Sequence, residues 1–352
     1  MKDKLIYIYP YKASFIANDL LFLEKKYRVI TQDLDWGNAR KLPLNFIKQL
    51  IFLCIHINTT TSIVINFGGY FSLLPSFFGK LFGIKTYLIL NGTDCVSFPR
   101  YNYGSLRKAF LKFVIKKSCQ MATKLLPVDD SLIFQKHSFD DDVLLKQQGV
   151  KAFFPNLKTT IKVIPNGFDT AFWKLDKTIP KNGFITVAIV NNMHTFKVKG
   201  IDLILKVAEK NPNECFTIIG LSKEVIDFLG AVPKNIVLIS YLEKEALLKE
   251  YQKNSFYLQL SVNEGFGCAL SEAMLCGCIP VVSNVGALPK LVESSGFVVN
   301  KRTSEALGSV MQQVINLSIE QKLRLSVASS EKISTNFDIT RREKLILQEL
   351  KN

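Results

Sequence analysis

The chain has 352 residues, 48% of them hydrophobic and 21% charged, a globular composition long enough for two domains with separate cores. Its most apolar stretches, 50–57 and 70–84 (the second interrupted by Pro75 and Lys80), fall short of the ~18–20 apolar residues of a membrane span. The net charge of +15 is uneven: residues 1–165 hold 23 Lys and Arg against 11 Asp and Glu, residues 166–352 hold 22 against 19.

The first apolar run, Leu5–Tyr9, is too short for a signal-peptide core and suits a first strand, so a cytoplasmic chain is expected. Further strands are predicted at Arg28–Gln32, Ser62–Phe67, Lys85–Leu90 and Lys124–Val128. In the second half they are predicted at Phe184–Ile189, Glu214–Gly220, Ile236–Ser240, Phe256–Leu260 and Ile279–Ser283. Continuous apolar strands alternating with helical patterns predict an α/β chain with parallel sheets covered on both faces. Ligands of such sheets bind at the carboxyl ends of the strands, and two such domains facing each other make a cleft. The turn cluster Pro165-Asn166-Gly167 is the best boundary. It gives an N-terminal domain 1–165, a C-terminal domain 166–336 and a helical segment 337–352.

Within the first half, Gly68-Gly69-Tyr70 ends a strand and reads either as an acceptor-facing loop or as a plain turn. Asn91-Gly92-Thr93-Asp94 follows the next strand. Between Leu106 and Lys117, Arg107, Lys108, Lys112, Lys116 and Lys117 are interleaved with Phe110, Phe113 and aliphatics, and no acid occurs from Tyr101 to Leu126. This basic amphipathic pattern predicts either affinity for an anionic membrane surface or a solvated helix face over the core. No recognised module interleaves basic residues with stacking aromatics, so no nucleic-acid partner is expected. Seven scattered cysteines, an odd number, suggest reduced buried thiols. Only three histidines accompany them, so no metal site is expected.

In the second half, Lys199-Gly200 opens a helical pattern, where a lysine can neutralise phosphate or simply sit on the surface. The segment Asn263 to Met274 carries the densest signal. An apolar strand leads in, Gly265 and Gly267 mark a turn open to a close ligand approach, and Ala269–Cys276 predicts a helix with Gly277 at its C′ position. N–H groups at the helix start suit a phosphate. Glu264 on the loop and Glu272 in the helix are eight positions apart: one carboxylate for each sugar of a nucleotide sugar, with the diphosphate between them.

These residues resemble the signature of retaining glycosyltransferases of family 4, whose two Rossmann-like domains face each other in the GT-B arrangement. The resemblance continues through Gly277–Ser283, Val285–Pro289, Leu291–Glu293 and Gly296–Val299. Upstream, Val163–Asp169 is similar to the family's interdomain link and Lys199–Asp202 to its phosphate-binding lysine segment. The resemblance implies transfer of a sugar from a nucleoside-diphosphate sugar, without a metal cofactor, to a cell-surface glycan or lipid-linked acceptor. Glu264, Lys199 and Asn91 are the implied catalytic residues. Glu272, Gly265, Phe266, Gly267, Cys268, Ala269, Lys197, His194 and Asn166 are implied on the donor side. Gly68, Gly69 and Asp94 are expected on the acceptor side. Two positions depart from the pattern: Asn91 stands where many members have histidine, and His194, with Lys197 nearby, stands where an arginine is usual. A sugar-nucleotide epimerase of the same fold and a non-catalytic sugar-nucleotide-binding protein are the alternatives.

Overall fold

A computed structural model describes residues 2–351. The first half supplies strands β1 (Lys4–Ile8), β2 (Arg28–Thr31), β3 (Thr60–Asn66), β4 (Lys85–Leu90) and β5 (Lys124–Pro127). A short antiparallel hairpin, β6 (Gln135–Lys136) with β7 (Gln147–Gln148), follows, and β8 (Thr160–Ile161) returns to the first sheet. The second half supplies β9 (Phe184–Val190), β10 (Phe216–Leu221), β11 (Ile236–Ile239), β12 (Phe256–Gln259), β13 (Ile279–Ser283) and β14 (Phe297–Val299). Every pairing within the two six-stranded sheets is parallel, in the orders β2-β1-β3-β4-β5-β8 and β11-β10-β9-β12-β13-β14.

The strands form where uninterrupted apolar residues can be covered from both sides. Leu5 to Ile8 in β1, Ile63 to Ile65 in β3 and Leu88 to Leu90 in β4 are all buried. In the second sheet Phe184 stacks between Phe216 and Phe256 at centroid distances of 5.0 and 4.9 Å, tying β9 to both neighbours. Such pairs contribute about 0.5–1.5 kcal/mol each beyond their buried area. The ten strands expected from the sequence form with ends shifted by at most two residues. The hairpin and β14 were not expected, because two- and three-residue strands carry too little pattern to read. Each sheet changes direction of growth beside its first strand, between β1 and β3 and between β9 and β12. The loops leaving the carboxyl ends of such strands are where α/β sheets hold ligands.

Helices α1 (Ser14–Lys26), α2 (Leu42–His56), α3 (Leu73–Leu81) and α4 (Ala109–Met121) cover the first sheet. The C-terminal segment expected to be one helix over 337–350 is a break followed by a helix. Phe337 caps the helix Ile319–Asn336, Asp338 bridges to Phe168, and the last helix runs Ile339–Lys351. Gly167 permits this crossing, since a Cβ there would lie 2.9 Å from Ile339 Cα and from Arg342 Cβ. The last helix packs on the first half of the chain. Glu349 pairs with Lys124 and Lys162, and the Tyr87 hydroxyl donates to the Glu349 carbonyl at 2.5 Å. Arg342, 2% exposed, grips both oxygens of Asp19, 1% exposed, at 2.6 and 2.7 Å. No helix of the described residues is long and apolar enough to cross a membrane.

Candidate active site in the cleft

The loop after β4 in the first half meets the loop after β12 in the second, and the loop after β3 is tied to it through Asp94. The closest approach is backbone to backbone: a methyl group on Gly265 would overlap the Asn91 carbonyl oxygen, and Gly92 Cα would lie 3.0 Å from it. Gly265 is therefore required by the opposite loop, rather than by the approach of a ligand as its sequence context suggests. Gly267 differs. Its φ of +103° caps the helix Cys268–Leu275 in a left-handed conformation that favours glycine. The helix starts one residue earlier than expected, and Gly277, at φ +80°, takes the C′ position.

Glu264 lies on the loop before that helix, 18% exposed. Its Oε2 accepts from Lys199 Nζ at 3.1 Å, Gln259 Nε2 at 3.0 Å and Ser261 Oγ at 3.3 Å. All of its hydrogen bonds among the described residues fall on Oε2, which leaves Oε1 free. Lys199 reaches this point because Gly200, at φ +71°, lets the chain turn against the Leu260 carbonyl. Burial pulls the Lys199 ammonium down, but the Glu264 carboxylate and the nearby Tyr103 outweigh it and leave its pKa raised. Lys199 is thus a firm cation at neutral pH.

Glu272, one turn into the helix, is in the opposite condition. Burial pushes its carboxyl up to about 7, and only the more distant Lys244 works against the shift. No side-chain hydrogen bond satisfies it among the described residues. The same helix start holds Cys268, whose thiol burial raises to about 12 and which receives the Asn166 amide at 3.4 Å. The Asn166 carbonyl oxygen is buried without a partner. Ala269 is partly exposed beside Cys268.

Other expected site residues are placed differently. The Phe266 side chain turns into the core, stacked on Phe168 at 5.9 Å and edge-on to Phe337 at 5.3 Å, so only its backbone can meet a donor. Asp94 is wholly buried. It accepts from the N–H groups of Gly68 and Gly92 at 2.9 Å and of Asn91 at 3.2 Å, while burial holds its pKa up. Its carboxylate clamps the two loops together and has no face left for an acceptor. The Gly68 N–H is spent on Asp94 and the Gly69 N–H on Ser72 Oγ at 3.1 Å. Those two glycines therefore shape the lip of the cleft rather than donate into it. His194 and Lys197 are both exposed on the short helix Met193–Val198, and no side-chain contact ties either to Lys199 or Glu264.

Asn91 Nδ2 donates to Asn66 Oδ1 at 2.7 Å, and its own Oδ1 is buried and unpartnered. Behind it runs a buried relay absent from the sequence reading: Asn66 Nδ2 donates to the Tyr7 hydroxyl at 2.8 Å, Tyr7 donates to Asp19 at 3.2 Å, and Asp19 receives Arg342. The last helix is thereby linked through polar groups to the cleft. Tyr103 was also missed. It sits close enough to Lys199, Glu264 and the Asn263 amide to feel all three, and burial drives its hydroxyl up to about 12. Gln135 of the hairpin bridges from the other side, donating to Asn263 Oδ1 and accepting from Gly286 N, both at 3.1 Å. The positive φ of Gly104 marks the turn that presents Tyr103, but no local signal aims its ring across the cleft.

Two parallel-sheet domains whose strand ends converge on one cleft, with the terminal helix returned to the first, define the GT-B architecture. Sucrose-phosphate synthase from Thermosynechococcus elongatus shares the fold at a TM-score of 0.75, with 13% identity over 99% of this chain and 98% of that one. Anabaena Alr3699/HepE in complex with UDP-glucose shares it at 0.73, with 14% identity over 99% of both chains. Residues 176–331 match the family model Glycosyl transferases group 1. Among curated proteins, the gpi3 subunit of phosphatidylinositol N-acetylglucosaminyltransferase from Schizosaccharomyces pombe is 23% identical over 181 residues, covering 49% of this chain. The GPI3 subunit of the Saccharomyces cerevisiae enzyme is 26% identical over 192 residues, covering 51%. The matches span 39% and 42% of those relatives' own lengths.

Proposed function

We infer that the chain is a retaining glycosyltransferase of family 4 that moves a sugar from a nucleoside-diphosphate sugar to a glycan or lipid-linked acceptor. The observation that carries this is the contrast between the two carboxylates of one strand–turn–helix unit: Glu264 held on one oxygen by Lys199, and Glu272 half-buried with no side-chain donor among the described residues. A ribose diol supplies two donors to Glu272, and a diphosphate between them meets Lys199 and the N–H groups around Gly267 and Cys268. The free Oε1 of Glu264 then meets the transferred sugar, and the buried, unpartnered Oδ1 of Asn91 lies on the opposite lip. Asn91 hydrogen-bonds without titrating, so proton removal from the acceptor falls to the leaving phosphate. As the glycosidic bond breaks, negative charge grows on the phosphates beside Lys199, a fixed cation preorganised for that charge. The division at 165/166, with 337–352 returning to the first domain, belongs to the same reading, with donor recognition on the second domain and the acceptor on the first.

The test is incubation with a panel of nucleoside-diphosphate sugars, with and without glycan and lipid-linked acceptors. Acceptor-dependent release of the nucleotide, with the anomeric configuration kept in the product by NMR, is expected. Conversion of the sugar nucleotide without an acceptor would identify an epimerase instead, and binding without turnover a non-catalytic receptor.

A further inference from the structure

Helix α2 is amphipathic the wrong way round for a protein surfaced by water. Its polar Asn45 and Gln49 are buried, Asn45 donating to the Asp35 carbonyl at 2.8 Å and Gln49 to the Phe71 carbonyl at 3.0 Å. Its aliphatic face is turned outward: Leu44 is 52% exposed, Ile47 55%, Ile51 54% and Ile55 68%. Helix α3 packs on α2 and on α4, and it adds exposed Phe77, Leu81 and Phe82. On α4, Phe110 and Phe113 are 64% and 52% exposed, so the phenylalanines of the basic segment are not core residues. Isolated exposed apolar residues are ordinary, but a continuous face over three neighbouring helices marks an interaction site.

The charge around this face has one sign. Between residues 36 and 128 the sequence has twelve lysines and arginines and a single acid, Asp94, which is wholly buried. Lys48, Lys80, Lys108, Lys116 and Lys117 are exposed on or beside the three helices. A second copy of this chain would bring the same positive charge against itself. An anionic lipid surface offers both what the aliphatic face requires and what the lysines attract. The face also continues toward the cleft, because the Phe110 ring lies 5.9 Å from Tyr70, on the loop that begins at Gly68.

We propose that the α2–α3–α4 face docks on an anionic bilayer, with its apolar side chains in the headgroup boundary and its lysines on the phosphates. The docking itself stands on this surface alone. It rests on the proposed function only in making a membrane-borne acceptor accessible to the cleft.

The experiment is co-sedimentation of the purified full chain with vesicles of phosphatidylcholine, alone or mixed with phosphatidylglycerol. The wild type is expected to pellet with the mixed vesicles, and added salt should weaken this without abolishing it. Each lysine near such a surface changes partitioning by about fivefold, so Lys80→Glu, Lys116→Glu and Lys117→Glu together should lower it by about a hundredfold or more. Ile47→Ser, Ile51→Ser and Phe113→Ser together should remove the part that survives high salt. All six side chains are exposed, so both variants should keep the wild-type melting temperature. The proposal is overturned if the wild type stays in the supernatant with both vesicles, or pellets equally with both. A salt-resistant dimer by light scattering, dispersed by the serine variant, would give the face to a second copy instead. Nucleotide calorimetry in solution separates the two readings: vesicle binding without nucleotide binding leaves this docking intact and removes the transferase.

Discussion

The two lips of the cleft are built on opposite plans. On the first-half lip most polar groups are satisfied within the protein, Asn91 Oδ1 excepted. Asp94 takes three backbone N–H groups, and a relay from Asn66 through Tyr7 ends on Asp19, which also accepts from Arg342 of the last helix. On the second-half lip the polar groups are left incomplete: among the described residues the Glu272 side chain has no donor, and the Glu264 side chain is bonded through one oxygen only. Groups whose bonding is complete hold shape, and groups left incomplete in a partly buried cleft are where a ligand completes them. Substitutions on the first lip should therefore register as stability, and those on the second as binding and turnover.

The largest effect is expected behind the first lip. Asp19→Ala would strand the Arg342 guanidinium without its counter-ion, and removing one partner of a buried pair costs about 3–5 kcal/mol. Denaturant unfolding should show that loss, and Asp19→Ala with Arg342→Met should recover much of it. If the single variant melts like the wild type, the relay does not hold the last helix.

Next comes the second lip. Lys199→Ala should lower single-turnover transfer by about 10²–10³-fold, the scale of one lost transition-state donor. Its effect on melting should be far smaller. A variant that loses stability but keeps its rate would place Lys199 with the structural groups of the first lip.

Glu272→Gln should weaken nucleotide binding by about 1.5–3 kcal/mol in calorimetry. The pH dependence is more diagnostic. With a folded pKa of about 7, Glu272 is protonated in the empty site below neutrality and must ionise to accept both ribose hydroxyls. Wild-type affinity should therefore fall as pH drops below about 7, by about tenfold per unit, and the Gln variant should be flat. Folding runs the other way. The raised pKa contributes stability that is fully present below the unfolded value of 4.5 and is lost as pH rises through 7.

The smallest effect is expected where the lips touch through solvent. Lys290 pairs with Asp130 across the cleft with both side chains more than half exposed. Lys290→Ala should change stability by under about 1 kcal/mol, and added salt should erase the difference. A larger loss would mean that this pair, rather than the Gly265–Gly92 contact, sets how closely the two halves approach.

The strand, the glycine turn and the helix that carry Glu264 and Glu272 lie within twenty residues and each leaves a pattern of its own, whereas Lys199, sixty-five residues before Glu264, meets it only in the tertiary structure. The parallel sheets were legible for a related reason: a strand covered on both faces carries an uninterrupted apolar run, as Leu5–Ile8 in β1, Ile63–Ile65 in β3 and Leu88–Leu90 in β4 do. What the sequence determined by itself was the class of fold and the charged half of the cleft. Only the tertiary structure decided the rest. Gly265 yields to Asn91, Phe266 turns to Phe168 and Phe337, and Asp94 is consumed by backbone N–H groups. Leu44, Ile47, Ile51 and Ile55 of α2 face outward while Asn45, Gln49 and Leu53 face in, which the apolar pattern of 50–57 cannot show because its period does not say which side is covered. Asp19 meets Arg342 across more than three hundred residues of chain, and Tyr103 meets Lys199 across nearly a hundred. The first contact exists only once the last helix has returned to the first half and the second only once the two sheets face each other, and no local periodicity encodes that geometry.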